Sequence, residues 1–353
     1  MSGPASPGLE IRAALARLVD RGDLTADEMA AVVGRIMDGE GTAAQVGALL
    51  TGLRMKGETV DEVVGAARAM RARMQTVALP GAAEIRLLDT CGTGGDASGT
   101  VNVTTLASFI VAGAGVKVAK HGNRALSSRA GSHDVIEALG IDPAPGPALA
   151  LTCLEQTGLC FMFAPIYHAA TKAVAGARRE IGFRTLFNLL GPLTNPAGVR
   201  FHVNGVFAKE RCEFLARAHK ALGARRAMVI HGSGGLDEIA PRGPTHVAEL
   251  LEDGRLVSRD ITPADFGLAE TDPAGLVGGD AATNARILLD TLAGAPGAVR
   301  STALMTAAAG LYTIGAASDL RSAVAAASAS LDSGRAQAVV DQLRVLSPRP
   351  AAA

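Results

Sequence analysis

The apolar residues in the first quarter of the chain recur with a helical period, which predicts a small bundle of α-helices. Three capping boxes begin successive segments at residues 25–28, 42–45 and 59–62. In each box a threonine hydroxyl can accept a hydrogen bond from the third helical N–H, and a Glu or Gln side chain reaches back to the cap. Gly39 and Gly57 stand where C-terminal caps are expected. The even spacing of the boxes also suggests a repeat array, but the residues between them do not repeat.

From residue 82 onward, apolar and β-branched segments alternate with helical ones, which is typical of parallel strands joined by helical crossovers. The predicted strands are residues 85–88, 116–119, 159–163, 203–207 and 227–230. Segments 247–251 and 256–259, around Asp253 and Gly254, predict a β-hairpin. Segments 281–292 and 301–311 predict apolar core helices. We therefore expect an α/β protein: a small N-terminal helical bundle plus a larger domain with a mainly parallel central sheet flanked by helices.

Two polar segments follow predicted strands and indicate a binding site. The first is Asp89-Thr90-Cys91-Gly92-Thr93-Gly94-Gly95-Asp96, and the second is Lys120-His121-Gly122-Asn123-Arg124. Backbone N–H groups of a glycine loop can approach an anion closely, and lysine or arginine neutralises its charge. Segments 165–168 and 231–238 also follow strands. Because ligands of parallel sheets bind beyond the carboxyl ends of the strands, we predict one site for a highly phosphorylated small molecule.

The glycine loop has other interpretations. It could be a plain strand-to-helix turn, since glycine is favoured wherever φ is positive. It nominally fits a dinucleotide fingerprint, with Gly92, Gly94 and Ala97, but no acidic residue follows about twenty positions later. It lacks the Lys-Ser/Thr ending of a P-loop. Hydroxyl and amide side chains follow it in excess of what helix capping alone requires, at Ser98, Thr100, Asn102, Thr104 and Thr105.

The remaining candidates each have a structural alternative. Residues 120–124 could be a solvated charged loop, and His168 could be structural. Asp237-Glu238 in a glycine-rich loop suggests a Mg²⁺ site, because hard oxygen ligands suit that ion, although two acidic residues also favour a helix start. Spacing alone does not select Arg178 over Arg179 as an arginine for a substrate carboxylate.

Composition narrows the class of protein. The 353 residues carry 34 basic and 34 acidic side chains, so bulk binding to nucleic acid or a membrane surface is not expected. The four cysteines have no metal-ligand spacing and indicate reduced thiols of a cytoplasmic protein. We expect no signal peptide in residues 1–8, and the nearly uncharged segment 101–116 is too short to span a bilayer.

Several motifs in order resemble the anthranilate phosphoribosyltransferases, which have the nucleoside-phosphorylase-like phosphoribosyltransferase fold. They cover nearly the whole chain: Gly39-Glu40, Lys56-Gly57-Glu58-Thr59, Gly92-Thr93-Gly94-Gly95-Asp96, Asn102-Val103-Thr104-Thr105, Lys120 to Arg124, Arg184-Thr185-Leu186-Phe187-Asn188, Gly191-Pro192-Leu193-Thr194-Asn195-Pro196 and Gly235-Leu236-Asp237-Glu238. The resemblance implies an enzyme of tryptophan biosynthesis. It would join anthranilate to phosphoribosyl pyrophosphate with Mg²⁺, as a cytoplasmic homodimer that binds neither nucleic acid nor membrane.

The resemblance also implies domains and residue roles. Residues 1–78, completed by a helical segment near 172–198, would form the helical domain, and residues 79–171 with 199–345 the phosphoribosyl pyrophosphate-binding domain. Lys120, Asp237 and Glu238 would be catalytic, and Thr104, Asp237 and Glu238 would bind Mg²⁺. Anthranilate would contact Gly92, Asn123, His168 and Arg178. The residues implied for phosphoribosyl pyrophosphate are Gly92, Gly95, Asp96, Thr100, Asn102, Val103, Thr104, Thr105, Lys120, His121, Gly122, Asn123, Arg124, Ala125, Leu126, Ser127, Ser128 and Ser132.

The chain departs from the family pattern at a few positions, notably His133, Ala169 and Thr171, where the family usually has alanine, proline and methionine. Two rival functions use the same fold. A pyrimidine nucleoside phosphorylase would have a sequence similar to Lys-His-Ser before its glycines. This chain has Asp89-Thr90-Cys91 at that place. A non-enzymatic nucleic-acid-binding relative would need a basic surface, which the zero net charge does not favour.

Overall fold

The computed structural model describes residues 9–79, 85–94, 99–125 and 129–350. In this part of the chain the helices are α1 Ile11–Val19, α2 Ala26–Met37, α3 Ala43–Lys56, α4 Val60–Arg71, α5 Val103–Gly113, α6 Ser132–Ala138, α7 Pro147–Thr157, α8 Ala164–Tyr167, α9 Lys172–Ile181, α10 Phe187–Leu190, α11 Glu210–Ala221, α12 Ala281–Leu292, α13 Ala298–Thr313, α14 Leu320–Asp332 and α15 Arg335–Leu346. The strands are β1 Leu87–Asp89, β2 Lys117–Gly122, β3 Leu159–Phe163, β4 Phe201–Gly205, β5 Arg226–Gly232, β6 Thr245–Leu250 and β7 Leu256–Ile261.

The first four helices form the predicted bundle. All three capping boxes are present, with Thr25, Thr42 and Thr59 as the caps of α2, α3 and α4. Glu62 joins these elements, because its fully buried carboxylate accepts from the N–H groups of Leu24 and Thr59 and lies 3.0 Å from Lys56 Nζ. Local capping therefore sets the helix starts, and one buried carboxylate links the helices to each other.

The core of the bundle extends beyond its own helices. Val174 and Ala177 of α9 and Leu189 of α10 pack into it. Cys212 and Leu215 of α11 join the same core, which continues to one face of the sheet. The domain boundaries at residues 78, 171 and 198 remain a prediction.

Seven strands form one sheet in the order β3-β2-β1-β4-β5-β6-β7. The pairs from β3 to β5 are parallel, whereas β6 and β7 add to the edge as antiparallel strands. The predicted hairpin is confirmed, and its turn places Gly254 at a φ of 83°. The expected mainly parallel sheet is thus confirmed.

The second strand differs from its prediction in a way that matters for the site. It continues to Gly122, and Lys120 and His121 pair with Phe161 and Met162 of β3. Both polar side chains are buried, so the prediction that a loop begins at Lys120, and the solvated-loop alternative for these two residues, are wrong. The Lys120 ammonium group donates to Thr90 in the loop after β1, and His121 Nδ1 lies 3.0 Å from the carbonyl of Gly191.

Apolar helices cover the other face of the sheet. Helices α5 and α13 are buried almost throughout, and a Cβ at Gly310 of α13 would lie 2.7 Å from a methyl carbon of Leu88 on β1. That close approach explains the glycine. Across the described ranges, none of the helices combines the length and apolarity needed to cross a membrane.

Candidate active site

The parallel strands bring the candidate segments to one edge of the sheet. Strand β1 leads into the glycine loop, which we define as Thr90 to Gly94, and the adjacent β2 carries Lys120 and leads to Asn123. Strand β3 leads through α8 to His168, and β5 leads to Asp237. The predicted convergence at the carboxyl edge follows from this strand order.

Side chains and backbone from two strands, β2 and β4, hold the glycine loop. Lys120 Nζ on β2 donates to the carbonyl of Thr90 at 3.0 Å, and Asn204 on β4 donates to the carbonyl of Cys91. The N–H of Thr93 donates to the carbonyl of Gly205 at 2.8 Å. Hydrogen bonds from residues outside the loop therefore fix the backbone conformation of its described part.

Lys120 is the buried cation of the site. Its side chain is only 2% exposed, and Nζ also lies 3.2 Å from the hydroxyl of Thr90. Burial lowers its pKa, while Cys91, Asp89, Glu238 and Asp237 act in the opposite direction. The ammonium group is thus influenced by acidic groups of β1, of the glycine loop and of the loop after β5.

Asp89 is a buried acidic residue beside the candidate site to which the sequence prediction gave no role. It is fully buried at the end of β1, where its carboxylate accepts from Asn195 at 2.7 Å and from the N–H of His121 at 3.3 Å. Burial raises the pKa of Asp89 to about 6, although Asn195 and Lys120 oppose the shift. Asn195 belongs to the family motif at residues 191–196 and Asp89 begins the polar segment after the first predicted strand, but nothing in the sequence paired the two.

Five histidines are buried in the described part of the chain: His121, His133, His168, His202 and His219. Burial lowers the pKa of His121 to about 3 and that of His168 to about 4. Both rings are therefore neutral near pH 7, and their centres lie 5.0 Å apart. His121 Nδ1 lies 3.0 Å from the carbonyl of Gly191, which can only accept, so this nitrogen carries the proton. The pair offers neutral imidazoles rather than cations to a ligand.

The turn after β2 is organised by Asp134 at the start of α6. Its carboxylate accepts from the N–H groups of Ala125 and Gly131 at 3.0 and 2.8 Å. Arg124, a predicted substrate ligand, forms 2.8 Å salt bridges with Asp134 and Glu137 while remaining partly exposed. The turn therefore presents a partly neutralised cation.

Asn123 and Ser132 lie together at the same turn. The Ser132 hydroxyl donates to the carbonyl of Asn123 at 3.3 Å and contacts Nδ1 of His133 at 3.2 Å. Asn123 is exposed, and its side-chain oxygen accepts from the N–H of Arg124 at 2.8 Å. Gly122 leaves room here, because a Cβ would lie 2.5 Å from the Ser132 hydroxyl. These polar groups border the edge at which β2 ends.

The predicted residues at the start of α5 have different environments. Thr104 contributes the carbonyl that accepts from the Thr90 hydroxyl at 3.4 Å, which places this turn beside the glycine loop. Asn102 donates to the carbonyl of Ala130 at 3.2 Å and accepts from Asn284, a contact that the sequence did not predict. Thr105 is fully buried, and its hydroxyl has no hydrogen-bond partner within the described ranges. Val103 begins the helix as a buried core residue, and Thr100 forms a bridge with Val277.

The loop after β5 carries the acidic pair. Gly234 and Gly235 adopt φ values of 79° and 84°, which turn the chain back toward the sheet. The backbone of Asp237 packs directly on Gly205, where a Cβ would collide with the Asp237 carbonyl. An Asp237 side-chain oxygen would lie 3.6 Å from a Cβ on Gly92, so this carboxylate faces the glycine loop. Glu238 is buried at 6% exposure.

The acidic pair suits a hard cation such as Mg²⁺, which takes oxygen ligands. No group of three or more His, Cys, Asp or Glu side chains within the described ranges is arranged to hold a metal. A cation here would accordingly have few protein carboxylates and would need oxygen ligands from hydroxyls, water or a phosphorylated ligand.

Arg178 approaches from α9. It is half-buried, burial lowers the pKa of its guanidinium, and its central carbon lies 5.3 Å from the centre of the Phe187 ring. Arg179 on the same helix is exposed. The predicted residues Gly95, Asp96, Leu126, Ser127 and Ser128 lie outside the described residues.

Two family models cover most of the chain. The helical bundle domain of the glycosyl transferase family matches residues 12–74, and the a/b domain of that family matches residues 84–337. The chain is 54% identical to the anthranilate phosphoribosyltransferase of Azorhizobium caulinodans, over 91% of this chain and 92% of that protein. It is 50% identical to the enzyme of the same name from Anaeromyxobacter sp. strain K, over 97% of this chain and all of that protein.

Solved structures agree in fold. The crystal structure of anthranilate phosphoribosyltransferase from Thermus thermophilus superposes with a TM-score of 0.86 at 38% identity, covering 94% of this chain and 98% of that one. The Saccharomyces cerevisiae enzyme in complex with PRPP and Mg gives a TM-score of 0.86 at 26% identity, covering 95% of this chain and 97% of that one. The resemblance inferred from sequence is confirmed, and the chain belongs to the anthranilate phosphoribosyltransferases of the glycosyl transferase family.

Proposed function

We propose that this enzyme transfers the phosphoribosyl group of 5-phosphoribosyl 1-pyrophosphate to the amine of anthranilate, giving N-(5-phosphoribosyl)anthranilate and pyrophosphate in tryptophan biosynthesis. The observation that carries the proposal is the position of buried Lys120 between the glycine loop and the acidic pair Asp237 and Glu238. This arrangement suits a ligand with a diphosphate and a cation. Family membership supplies the substrates by homology.

The phosphorylated substrate would occupy the carboxyl edge of β1 and β2. Backbone N–H groups of the glycine loop would face the diphosphate, since anions bind where successive N–H groups point outward. Asn123, just after β2, and Ser132, at the start of α6, would contact the ribose or its 5-phosphate. The full proposed set is Gly92, Gly95, Asp96, Thr100, Asn102, Val103, Thr104, Thr105, Lys120, His121, Gly122, Asn123, Arg124, Ala125, Leu126, Ser127, Ser128 and Ser132.

The reaction breaks the bond between the anomeric carbon and the diphosphate oxygen while the anthranilate nitrogen attacks that carbon. Negative charge grows on the leaving oxygen, so a fixed cation that is held before the reaction lowers the barrier. Lys120 meets this need, because its ammonium group is anchored on the Thr90 carbonyl and does not reorganise during the step. Lys120 would therefore stabilise the leaving group and hold the loop at the same time.

Thr104, Asp237 and Glu238 would hold Mg²⁺. When bound, the ion would neutralise charge on the diphosphate oxygens. The carboxylate of Asp237 is directed toward Gly92, so this member of the acidic pair would face the proposed leaving group. The Saccharomyces cerevisiae relative in complex with both PRPP and Mg supports the use of Mg²⁺.

Anthranilate would lie between Gly92, Asn123, His168 and Arg178. The guanidinium group of Arg178 can bind a carboxylate through two parallel hydrogen bonds, which would orient the neighbouring amine. An aromatic amine is a weak base and already has a free electron pair, so orientation contributes more than proton removal. A Saccharomyces cerevisiae relative has been solved in complex with 4-fluoroanthranilate, which supports an acceptor of this shape.

The enzyme would work as a cytoplasmic homodimer without nucleic acid or membrane partners. The zero net charge supports the absence of a nucleic acid partner. Light scattering would test the dimer, and a monomeric mass would refute it.

A steady-state assay with phosphoribosyl pyrophosphate, Mg²⁺ and anthranilate tests the proposal. The loss of anthranilate fluorescence measures the turnover. We expect turnover that requires all three components and stops with EDTA. The double variant Asp237→Asn with Glu238→Gln should need more Mg²⁺, and the exposed pair Glu252→Gln with Asp253→Asn is its matched control. Phosphorolysis of a pyrimidine nucleoside without anthranilate turnover would instead favour the phosphorylase.

A further inference from the structure

A buried polar pair lies directly beneath the glycine loop. Asn204 on β4 and His219 on α11 are both fully buried. His219 Nε2 lies 2.7 Å from the side-chain oxygen of Asn204, and the Asn204 amide nitrogen donates to the carbonyl of Cys91 in the loop. A buried polar side chain costs free energy unless it is hydrogen bonded. The partners of Asn204 therefore need an explanation.

The hydrogen bonds fix the orientation of both groups. The carbonyl of Cys91 can only accept, so the amide nitrogen of Asn204 must face it and the amide oxygen must face His219. His219 Nε2 must then carry the proton. The result is a directed chain of donors from His219 through Asn204 to the loop carbonyl.

His219 stays neutral in this chain. Burial lowers its pKa well below the usual value of 6.5, and His202 and Arg71 add to the shift. The ring of His202 stacks on that of His219 with centres 4.2 Å apart, and His202 Nε2 donates to the carbonyl of Val199 at 3.1 Å. His202 thus shares the environment of His219 but has no hydrogen bond to Asn204.

The next residue, Gly205, connects the hydrogen-bonded pair of Asn204 and His219 to the acidic loop, which is the loop after β5 that carries Asp237 and Glu238. Its carbonyl accepts from the N–H of Thr93 at 2.8 Å, and the backbone of Asp237 packs against its Cα. The dipeptide Asn204-Gly205 therefore touches both the glycine loop and the acidic loop. A rotation of the Asn204 amide would leave the carbonyl of Cys91 without this donor and would release the loop on one side.

We infer that Asn204, held in its orientation by His219, is a positioning residue that sets the glycine loop for diphosphate binding. The inference rests on the proposed function for the identity of the ligand. This role requires the N–H donor on His219. It also requires the side-chain amide of Asn204, whose oxygen faces His219 and whose nitrogen faces the carbonyl of Cys91. An apolar residue of similar size at either position would fill the space without holding the loop.

Three variants test the inference. Asn204→Val removes the donor to Cys91, His219→Phe keeps the ring but loses its N–H, and His219→Gln restores an N–H near the Nε2 position. We expect Asn204→Val and His219→Phe to raise the KM for phosphoribosyl pyrophosphate roughly tenfold, while the anthranilate KM stays within about twofold. His219→Gln should return the value to within about threefold of wild type. His202→Phe is the matched control, because it removes a buried histidine that has no bond to the loop support.

Amide hydrogen exchange provides a readout that does not depend on turnover. The Thr93 amide should exchange about tenfold faster in Asn204→Val and His219→Phe, whereas the Val206 amide, bonded to the Ile230 carbonyl at 2.9 Å, should stay protected. If Thr93 exchange and the phosphoribosyl pyrophosphate KM both match wild type in His219→Phe, the inference is overturned. If His219→Gln is as impaired as His219→Phe, an N–H at this position does not restore the loop, and the role assigned to the His219 N–H is overturned.

Titration of phosphoribosyl pyrophosphate with Mg²⁺ by calorimetry separates this inference from the proposed function. Wild-type protein that binds the ligand without anthranilate turnover would refute the proposed acceptor, while weaker binding by His219→Phe would still support the positioning role. Wild-type protein that does not bind the ligand would overturn both.

Discussion

Replacing Lys120 with methionine should slow turnover severely and change stability little. Methionine has a similar length and fills the same space, but it has no charge and no donor. In the structure Lys120 Nζ lies 3.0 Å from the Thr90 carbonyl and 3.2 Å from the Thr90 hydroxyl, and its side chain is buried. The change therefore removes one cation and two hydrogen bonds without opening the site to solvent.

The Lys120→Met substitution has separate effects on kcat and on the free energy of unfolding. Loss of a preorganised group that stabilises developing charge raises the barrier by about 3 kcal/mol, which is a fall of roughly 10²-fold in kcat. The Thr90 carbonyl would also lose its donor, which costs about 1–3 kcal/mol in the folded state. Removing a buried charge offsets much of this cost, because desolvation of the ammonium group opposes folding. We expect a change below about 2 kcal/mol in the free energy of unfolding.

Initial rates at saturating anthranilate and phosphoribosyl pyrophosphate give kcat, and urea unfolding gives the stability. Lys117→Met is the matched control, because Lys117 begins the same strand at the end away from the glycine loop. Its kcat should stay within about twofold of wild type. A Lys120→Met enzyme that keeps more than about a fifth of wild-type kcat would refute the electrostatic argument.

Three further predictions concern the acceptor, the bundle and acid stability. Arg178→Ala should raise the KM for anthranilate about tenfold or more and leave the KM for phosphoribosyl pyrophosphate unchanged. Substitution of the exposed Arg179 by alanine should change neither KM. Equal effects of the two substitutions would contradict the assignment of Arg178 to the anthranilate carboxylate. Glu62→Gln should lower the free energy of unfolding by roughly 2 kcal/mol in urea titrations, because the buried Lys56 ammonium loses its charge partner; a change too small to measure would show that the exposed Asp23 suffices. The five buried histidines have lowered pKa values, so their contribution to stability is complete above pH 6.5 and is lost as the pH falls. Asp89, with its pKa raised to about 6, acts in the opposite direction and loses its contribution as the pH rises. The histidines outnumber Asp89, so stability should fall as the pH drops from about 6 to 5. Equal urea midpoints at pH 7 and 5 would refute this.

The helical bundle shows how much of the fold was readable from local sequence. The caps at Thr25, Thr42 and Thr59 lie where the threonines predicted them, because a capping box depends on four consecutive residues. Strand β3 and helix α12 also match their predicted ranges. Patterns within one element are sufficient for such features.

The candidate site was only partly readable. The sequence pointed to the glycine loop, Lys120 and the acidic pair, since glycine, lysine and carboxylates are the residues that phosphate and Mg²⁺ require. It misplaced Lys120 in a loop, because charged residues in a row are typical of solvated turns. It did not assign roles to Asp89 or Asn204, whose only outward signal is a polar residue at a buried position.

The amino-acid sequence by itself determined the helix starts, the alternation of strands and helices, and the chemical class of the site, because each depends on residues close together in the chain. The tertiary structure alone decided that β2 continues through Lys120, that Asp89 meets Asn195, and that His219 orients Asn204. These contacts join residues on different elements. A buried polar group is stable only when another element supplies its hydrogen-bond partner, and the order of strands in the sheet decides which element that is.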